Sequence, residues 1–187
     1  MKRKNLALAL TTLLCTSSVF ADPVAPPKPA TVNGGTIKFV GSLVNAACAL
    51  EQPAGGQVVD LQQFRVAELK KSVGAATHAQ DFDIKLTDCS VETYKKASVN
   101  FSGVSVPGEN TILALDNDRG TSAASGVGIR ILSNGEAVPV DGSGASEATN
   151  LTPGNTKMRF QAQYVSTSTD VKPGAANASA EFSITYS

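Results

Sequence analysis

Residues 177–186 alternate without a break. Ala178, Ala180, Phe182, Ile184 and Tyr186 take one face, and Asn177, Ser179, Glu181, Ser183 and Thr185 take the other. That is the period of a strand with one buried and one wet face. Such a strand needs neighbours for its backbone N–H and C=O groups and cover for its apolar side. Only Ser187 follows, so no later segment turns back to pair with it. The expectation is that an earlier strand flanks it on both sides, or that a strand from outside the chain does.

The rest of the chain reads as short strands joined by polar turns. Thr36 begins a β-rich stretch that runs to Val44, and residues 57–61 form a short one. Phe82, Ile84 and Leu86 alternate ahead of Cys89, and Val99 with Phe101 starts another strand. Residues 111–115 are expected at a sheet edge. Val127, Ile129 and Ile131 run into Asn134-Gly135, a strong hairpin signal. Residues 137–140 form the return strand, with Pro139 favouring an edge. Met158, Phe160, Ala162 and Tyr164 alternate, and Pro173-Gly174 marks the turn before the final strand. Helical periodicity is weak everywhere; residues 62–72 could hold one turn. About eight strands at this spacing predict an all-β sandwich.

The start of the chain stands apart from this pattern. Lys2, Arg3 and Lys4 precede an apolar run over residues 6–15, too short to span a bilayer. Val19-Phe20-Ala21 completes a secretory signal cleaved after Ala21. Residues 1–21 are therefore expected to be removed, Cys15 with them. What remains, residues 22–187, is long enough for one domain with a real core. Without the three leading cations, 13 basic residues face 16 acidic ones, a formal charge of −3. No basic patch points to nucleic acid, and no later stretch is apolar enough to enter a membrane. Cys48 and Cys89 remain, and for an exported protein the default is a disulfide, with two free thiols as the alternative.

Chemistry finds little to work with. His78 is the sole histidine, in a polar stretch, which argues against a triad and against histidine-built zinc or copper sites. Asp81 and Asp83 flank Phe82 and belong on the solvated face of a strand. Residues 116–120 begin like a calcium loop, but Val127 stands where an EF-hand needs glutamate. Gly126-Val127-Gly128 is followed by no helix and cradles no phosphate. No catalytic residue, cofactor site or metal site is expected.

What remains unusual is architectural. Pro23, Pro26, Pro27 and Pro29 make the mature start an extended, solvated arm. That arm becomes strand-like over residues 31–37. One end of the chain thus offers a strand and the other lacks a partner for one. Joining the two between molecules is β-strand addition. The contact is head-to-tail, so it repeats into an open filament.

Four stretches carry a resemblance. They are Thr31-Val32-Asn33-Gly34-Gly35-Thr36, Val44-Asn45-Ala46-Ala47-Cys48-Ala49, Phe160-Gln161-Ala162-Gln163-Tyr164, and residues 173–178 continuing to Tyr186. In this order, with the leader and the cysteine pair, the chain resembles the chaperone–usher pilin family. The resemblance implies an incomplete immunoglobulin-like sandwich that lacks its last strand. Residues 22–36 would be the N-terminal extension and residues 37–187 the pilin domain. It implies a periplasmic chaperone that lends a strand to the gap, and an outer-membrane usher where the next subunit's arm replaces it. The family's C-terminal signature maps onto Gly174 and Tyr186. Ala178, Ala180, Phe182 and Ile184 would line the groove with them. Ala30, Val32, Gly34 and Thr36 would be the groove-facing residues of the donor strand. Continuing that alternation backwards reaches Lys28 and Pro26, poor fillers for an apolar site, so the exchanging strand is expected to begin near Ala30.

The function this implies is structural: the repeating subunit of an adhesive surface fimbria, in contact with other pilin subunits, exported through the periplasm to the cell surface. The alternative is a secreted, monomeric β-sandwich module that binds carbohydrate.

Overall fold

A computed structural model describes residues 28–41, 43, 46–53, 55–116 and 123–187. The leader, the first prolines of the arm, Val44-Asn45 and most of the 116–120 turn lie outside the described residues. Two compact units result, residues 1–42 and residues 43–187.

In the first unit, residues 28–41 form no strand, and their side chains are exposed. The β-rich reading of residues 36–44 is thus corrected where the structure describes it. Ile37, Phe39 and Val40 have the propensity, but a strand exists only when its backbone is paired, and no ladder reaches this stretch.

The second unit is a sandwich of two antiparallel sheets. Its strands are β1 Ala49–Glu51, β2 Gln80–Cys89, β3 Lys96–Gly103, β4 Ser105–Val106, β5 Glu109–Leu113, β6 Val127–Ser133, β7 Glu136–Ala137, β8 Asp141–Ala145, β9 Thr149–Asn150, β10 Gly154–Ser166 and β11 Ala180–Tyr186. The larger sheet runs β1-β2-β10-β6-β5-β4, with β7 on β6. The smaller runs β11-β3-β8, with β9 also on β3. One turn of helix, α1 Val66–Leu69, falls inside the weakly periodic 62–72 stretch.

Alternation decides which residues meet between the sheets. Ile84 and Leu86 of β2, Met158, Phe160 and Ala162 of β10, and Ile129 and Ile131 of β6 face Ala97, Val99 and Phe101 of β3. Phe160 stacks on Phe82 with centroids 5.6 Å apart and meets Phe101 edge-on at 5.3 Å, which ties the two sheets together. The outward residues stay wet. Asp81 and Asp83 stand opposite Gln161 and Arg159, and Gln161 donates to the Asp81 carboxylate at 2.7 Å.

The hairpin at Asn134-Gly135 forms as read. Both residues have positive φ, 51° and 85°, the pair a two-residue turn of this hand demands. Its return strand is shorter than expected, because Val138 and Val140 turn into the core around Pro139. Residues 111–115 are not at an edge: β5 ends at Leu113, and β4 covers its far side.

Cys48 and Cys89 form a disulfide that links the residue before β1 to the last residue of β2. It closes a separation of 41 residues, for which chain entropy gives about 4 kcal/mol. Replacing both cysteines with serine is expected to lower the unfolding free energy by that order in urea titrations. An unchanged midpoint would contradict the assignment of stability to this bond.

Candidate functional site: an open groove beside the last strand

β11 pairs with β3 along its whole length, from Ala180↔Gly103 to Tyr186↔Ala97. It is the end strand of its sheet, and its second edge carries no strand among the described residues. Its outward residues Glu181, Ser183 and Thr185 are exposed. Its inward ones, Ala180, Phe182, Ile184 and Tyr186, are only half-buried. A core strand with half-covered apolar residues marks missing cover, since burying one large apolar side chain fully contributes about 1.5–3 kcal/mol.

The missing cover is a groove of about 1300 Å³. One wall is the stretch from Ala176 to Phe182, and the other is residues 55–63. Between them the floor is apolar: Phe82, Ile84, Phe101, Leu113, Ile129, Ile131 and Ala162. A smaller cavity of about 460 Å³ shares Gln62, Gln63, Tyr164, Ala176 and Asn177 with the groove and extends over Pro173, Gly174 and Val171.

Both walls are held from behind. The Tyr164 hydroxyl donates to the Ala176 carbonyl at 3.1 Å, and the Ser179 hydroxyl to the Asp116 carboxylate at 2.8 Å. The Asp116 N–H donates to the Asn177 carbonyl at 2.8 Å. On the far wall the Gln57 amide donates to the Asp83 carbonyl, and Asp60 accepts the Gln62 N–H, which sits at φ 63°. Leu61 is buried there, whereas Val58 is 91% exposed. Residues 57–61 form no ladder, which corrects the short strand read there. These residues line the groove instead.

The expected groove residues divide into three groups. Ala178, Ala180 and Phe182 line the groove itself, and Gly174 lines the smaller cavity. Ile184 and Tyr186 sit further along β11, against the core. There the Tyr186 hydroxyl donates to the Cys48 carbonyl at 3.4 Å, and its ring lies 6.3 Å from that of Tyr94. Ala30, Val32, Gly34 and Thr36 belong to the other unit and are exposed, Val32 at 86%. Sequence reasoning missed the second wall and the floor. The only local hint was Gly55-Gly56 followed by apolar Val58, Val59 and Leu61 without a hairpin partner.

Burial, aided by the nearby Asp60 carboxylate, raises the pKa of the Tyr164 phenol above its usual value. The folded state therefore holds this proton more tightly than the unfolded chain, whose tyrosines titrate near 10. Its contribution is present below about pH 10 and is lost as pH rises from there through the folded value. Denaturant midpoints measured from neutral to strongly alkaline pH should show this decline. Tyr164→Phe should make it shallower without abolishing it, because burial also raises the pKa of the Tyr186 phenol, and an identical decline in that variant would remove Tyr164 as a source.

The fimbrial protein family matches residues 37–187. The chain is 40% identical to the type-1 fimbrial protein A chain of Escherichia coli K12 over 188 aligned positions, covering 100% of both chains. It is equally similar, over the same span, to the type 1 fimbrial subunit of Klebsiella pneumoniae. Among solved structures, the P pilus rod subunit PapA aligns with a TM-score of 0.63 at 26% identity, covering 76% of this chain and 100% of PapA. A chaperone–usher pilus structure aligns at 0.66 and 26% identity, covering 87% of this chain and 100% of that one. A sandwich with one uncovered strand, matched over most of its length by the family model and end to end by pilus subunits, belongs to the fimbrial protein family.

Proposed function

We propose that this chain is the repeating structural subunit of an adhesive surface fimbria and that it polymerises by strand exchange. The observation that carries the reading is the groove beside β11: an apolar floor, and, among the described residues, a β11 edge on which no further strand lies and a second wall without a ladder. A strand laid into it would find backbone partners on the β11 edge and present alternate side chains to the floor. The arm of a second copy has the matching pattern, with Ala30, Val32, Gly34 and Thr36 on one side. Each copy offers one arm and one groove, so the contact propagates head-to-tail into a filament. Before assembly the same groove is filled by a strand of a periplasmic chaperone, and an outer-membrane usher hosts the replacement. The route is through the periplasm to the cell surface.

The test is complementation. Residues 43–187 are expressed alone, and a synthetic peptide spanning residues 22–41 is added. At free peptide a hundredfold above its Kd, the gain is about 2.7 kcal/mol, or roughly 5–10 °C in Tm. A peptide beginning at Ala30 should bind nearly as well, since Pro27 and Pro29 donate no backbone hydrogen bonds. A stable monomer indifferent to either peptide would reject strand exchange and favour the secreted carbohydrate-binding module.

A further inference from the structure

We propose that Asn33 is a chemical clock on the arm. In a subunit whose arm is not seated in a groove, Asn33 deamidates, and seating the arm stops the reaction. The protective half rests on the strand-exchange reading; the chemistry of the free arm does not.

The chain contains two Asn-Gly pairs, Asn33-Gly34 and Asn134-Gly135. In such a pair the following residue has no Cβ to hinder its backbone nitrogen from reaching the asparagine side chain. The Gly34 nitrogen bonds to Cγ of Asn33 and gives up its proton. The Cγ–Nδ2 bond breaks, and ammonia leaves with that proton. Water then adds across one of the two ring C–N bonds of the succinimide, leaving aspartate or isoaspartate at position 33. No oxidant, reductant or catalyst is needed, only hydroxide and water.

The two pairs stand in opposite settings. Asn134 is locked at φ 51° in the β6–β7 turn, with Ser133 paired to Glu136 across it. Its amide nitrogen donates to the Glu147 carboxylate at 2.9 Å. Ring closure there must first open the turn and break that bond. Asn33 is exposed in a stretch with no ladder, no atom beyond its chain neighbours stands within 4 Å of where a Gly34 side chain would be, and Gly35 follows at φ 103°. Nothing there has to open before the ring closes.

The product disables the arm. Isoaspartate carries the backbone through the former side chain and adds one methylene between Val32 and Gly34. Residues on either side then no longer point to the same face, as in a register slip. Either product also adds a carboxylate. A strand already paired in a groove lacks the freedom to form the ring.

The experiment ages the full chain in mildly alkaline buffer, once as unpolymerised subunit and once as filament. Peptide mapping with electron-transfer fragmentation reads aspartate and isoaspartate at positions 33 and 134. In the subunit, conversion at Asn33 should run at least about tenfold faster than at Asn134, and filaments should slow it by at least about the same factor. Aged subunits should lose assembly in proportion to conversion, and Asn33→Gln subunits aged alongside should keep it. Equal rates at the two sites in the subunit would overturn the proposal. So would equal rates at Asn33 in subunit and filament, or full assembly by converted subunits. Electron microscopy of fresh samples judges the other reading separately: no filaments from fresh subunits counts against strand exchange, while the comparison of Asn33 with Asn134 still decides the chemistry.

Discussion

Gly34→Arg is expected to stop filament growth outright while leaving the subunit folded and, under the proposed assembly route, able to accept a chaperone strand. In the free chain nothing demands glycine at position 34. Its neighbourhood is open, and it lacks the positive φ that Gly35 shows at 103°. A side chain there costs the free subunit nothing. In the proposed strand exchange the same position would fall on the groove-facing side with Val32 and Thr36, toward the apolar floor that Phe101, Ile129 and Ile131 help to form. A guanidinium driven among those side chains would be buried without a partner. The arm peptide carrying the change should bind at least ~100-fold more weakly, an effect of about 2.7 kcal/mol. Electron microscopy and a polymerisation assay read the outcome, with circular dichroism as the control for folding. Filaments of ordinary length from the variant would sink the proposed placement of Gly34.

Phe160→Ala should be the most damaging single truncation of the core, at about 5 kcal/mol. Phe160 is 2% exposed and stands between Phe82 on the neighbouring strand and Phe101 on the opposite sheet. Phe101 in turn lies 6.4 Å from Phe182 on the groove wall. Removing the ring takes away an apolar side chain, leaves a cavity, and breaks two aromatic contacts at once. It also undercuts the groove floor, so arm-peptide affinity should fall along with stability. Gln161→Ala, one residue along and on the wet face, should stay within about 0.5 kcal/mol of the parent. Equilibrium unfolding in urea, with and without the arm peptide, measures both. A loss under about 2 kcal/mol at Phe160 would mean that the neighbouring rings collapse into the space.

Local pattern carried much of this protein. The alternations around Phe82, Val99, Ile129, Met158 and Phe182 became β2, β3, β6, β10 and β11, because a period of two is a property of neighbouring residues alone. Asn134-Gly135 became a hairpin for the same reason: its backbone angles are set within the turn. The Cys48–Cys89 bond was legible because these are the two cysteines beyond the leader, though it is the pairing of β1 with β2 that brings them together.

Pairing was less legible. Residues 36–41 and 57–61 have strand chemistry but form no ladder, and β5 lies inside its sheet rather than on its edge. Strand propensity describes how a side chain suits a pleated surface; whether a second backbone arrives is settled by segments distant in the chain. The sequence by itself determined which residues of the last strand face inward and that their apolar side needs cover. Only the tertiary structure decided that β3 takes one edge of β11 and that residues 55–63 stop short of the other, leaving an apolar-floored groove between them. The reason is that a groove is a relation between surfaces contributed by segments more than a hundred residues apart, and no local period encodes the distance between them.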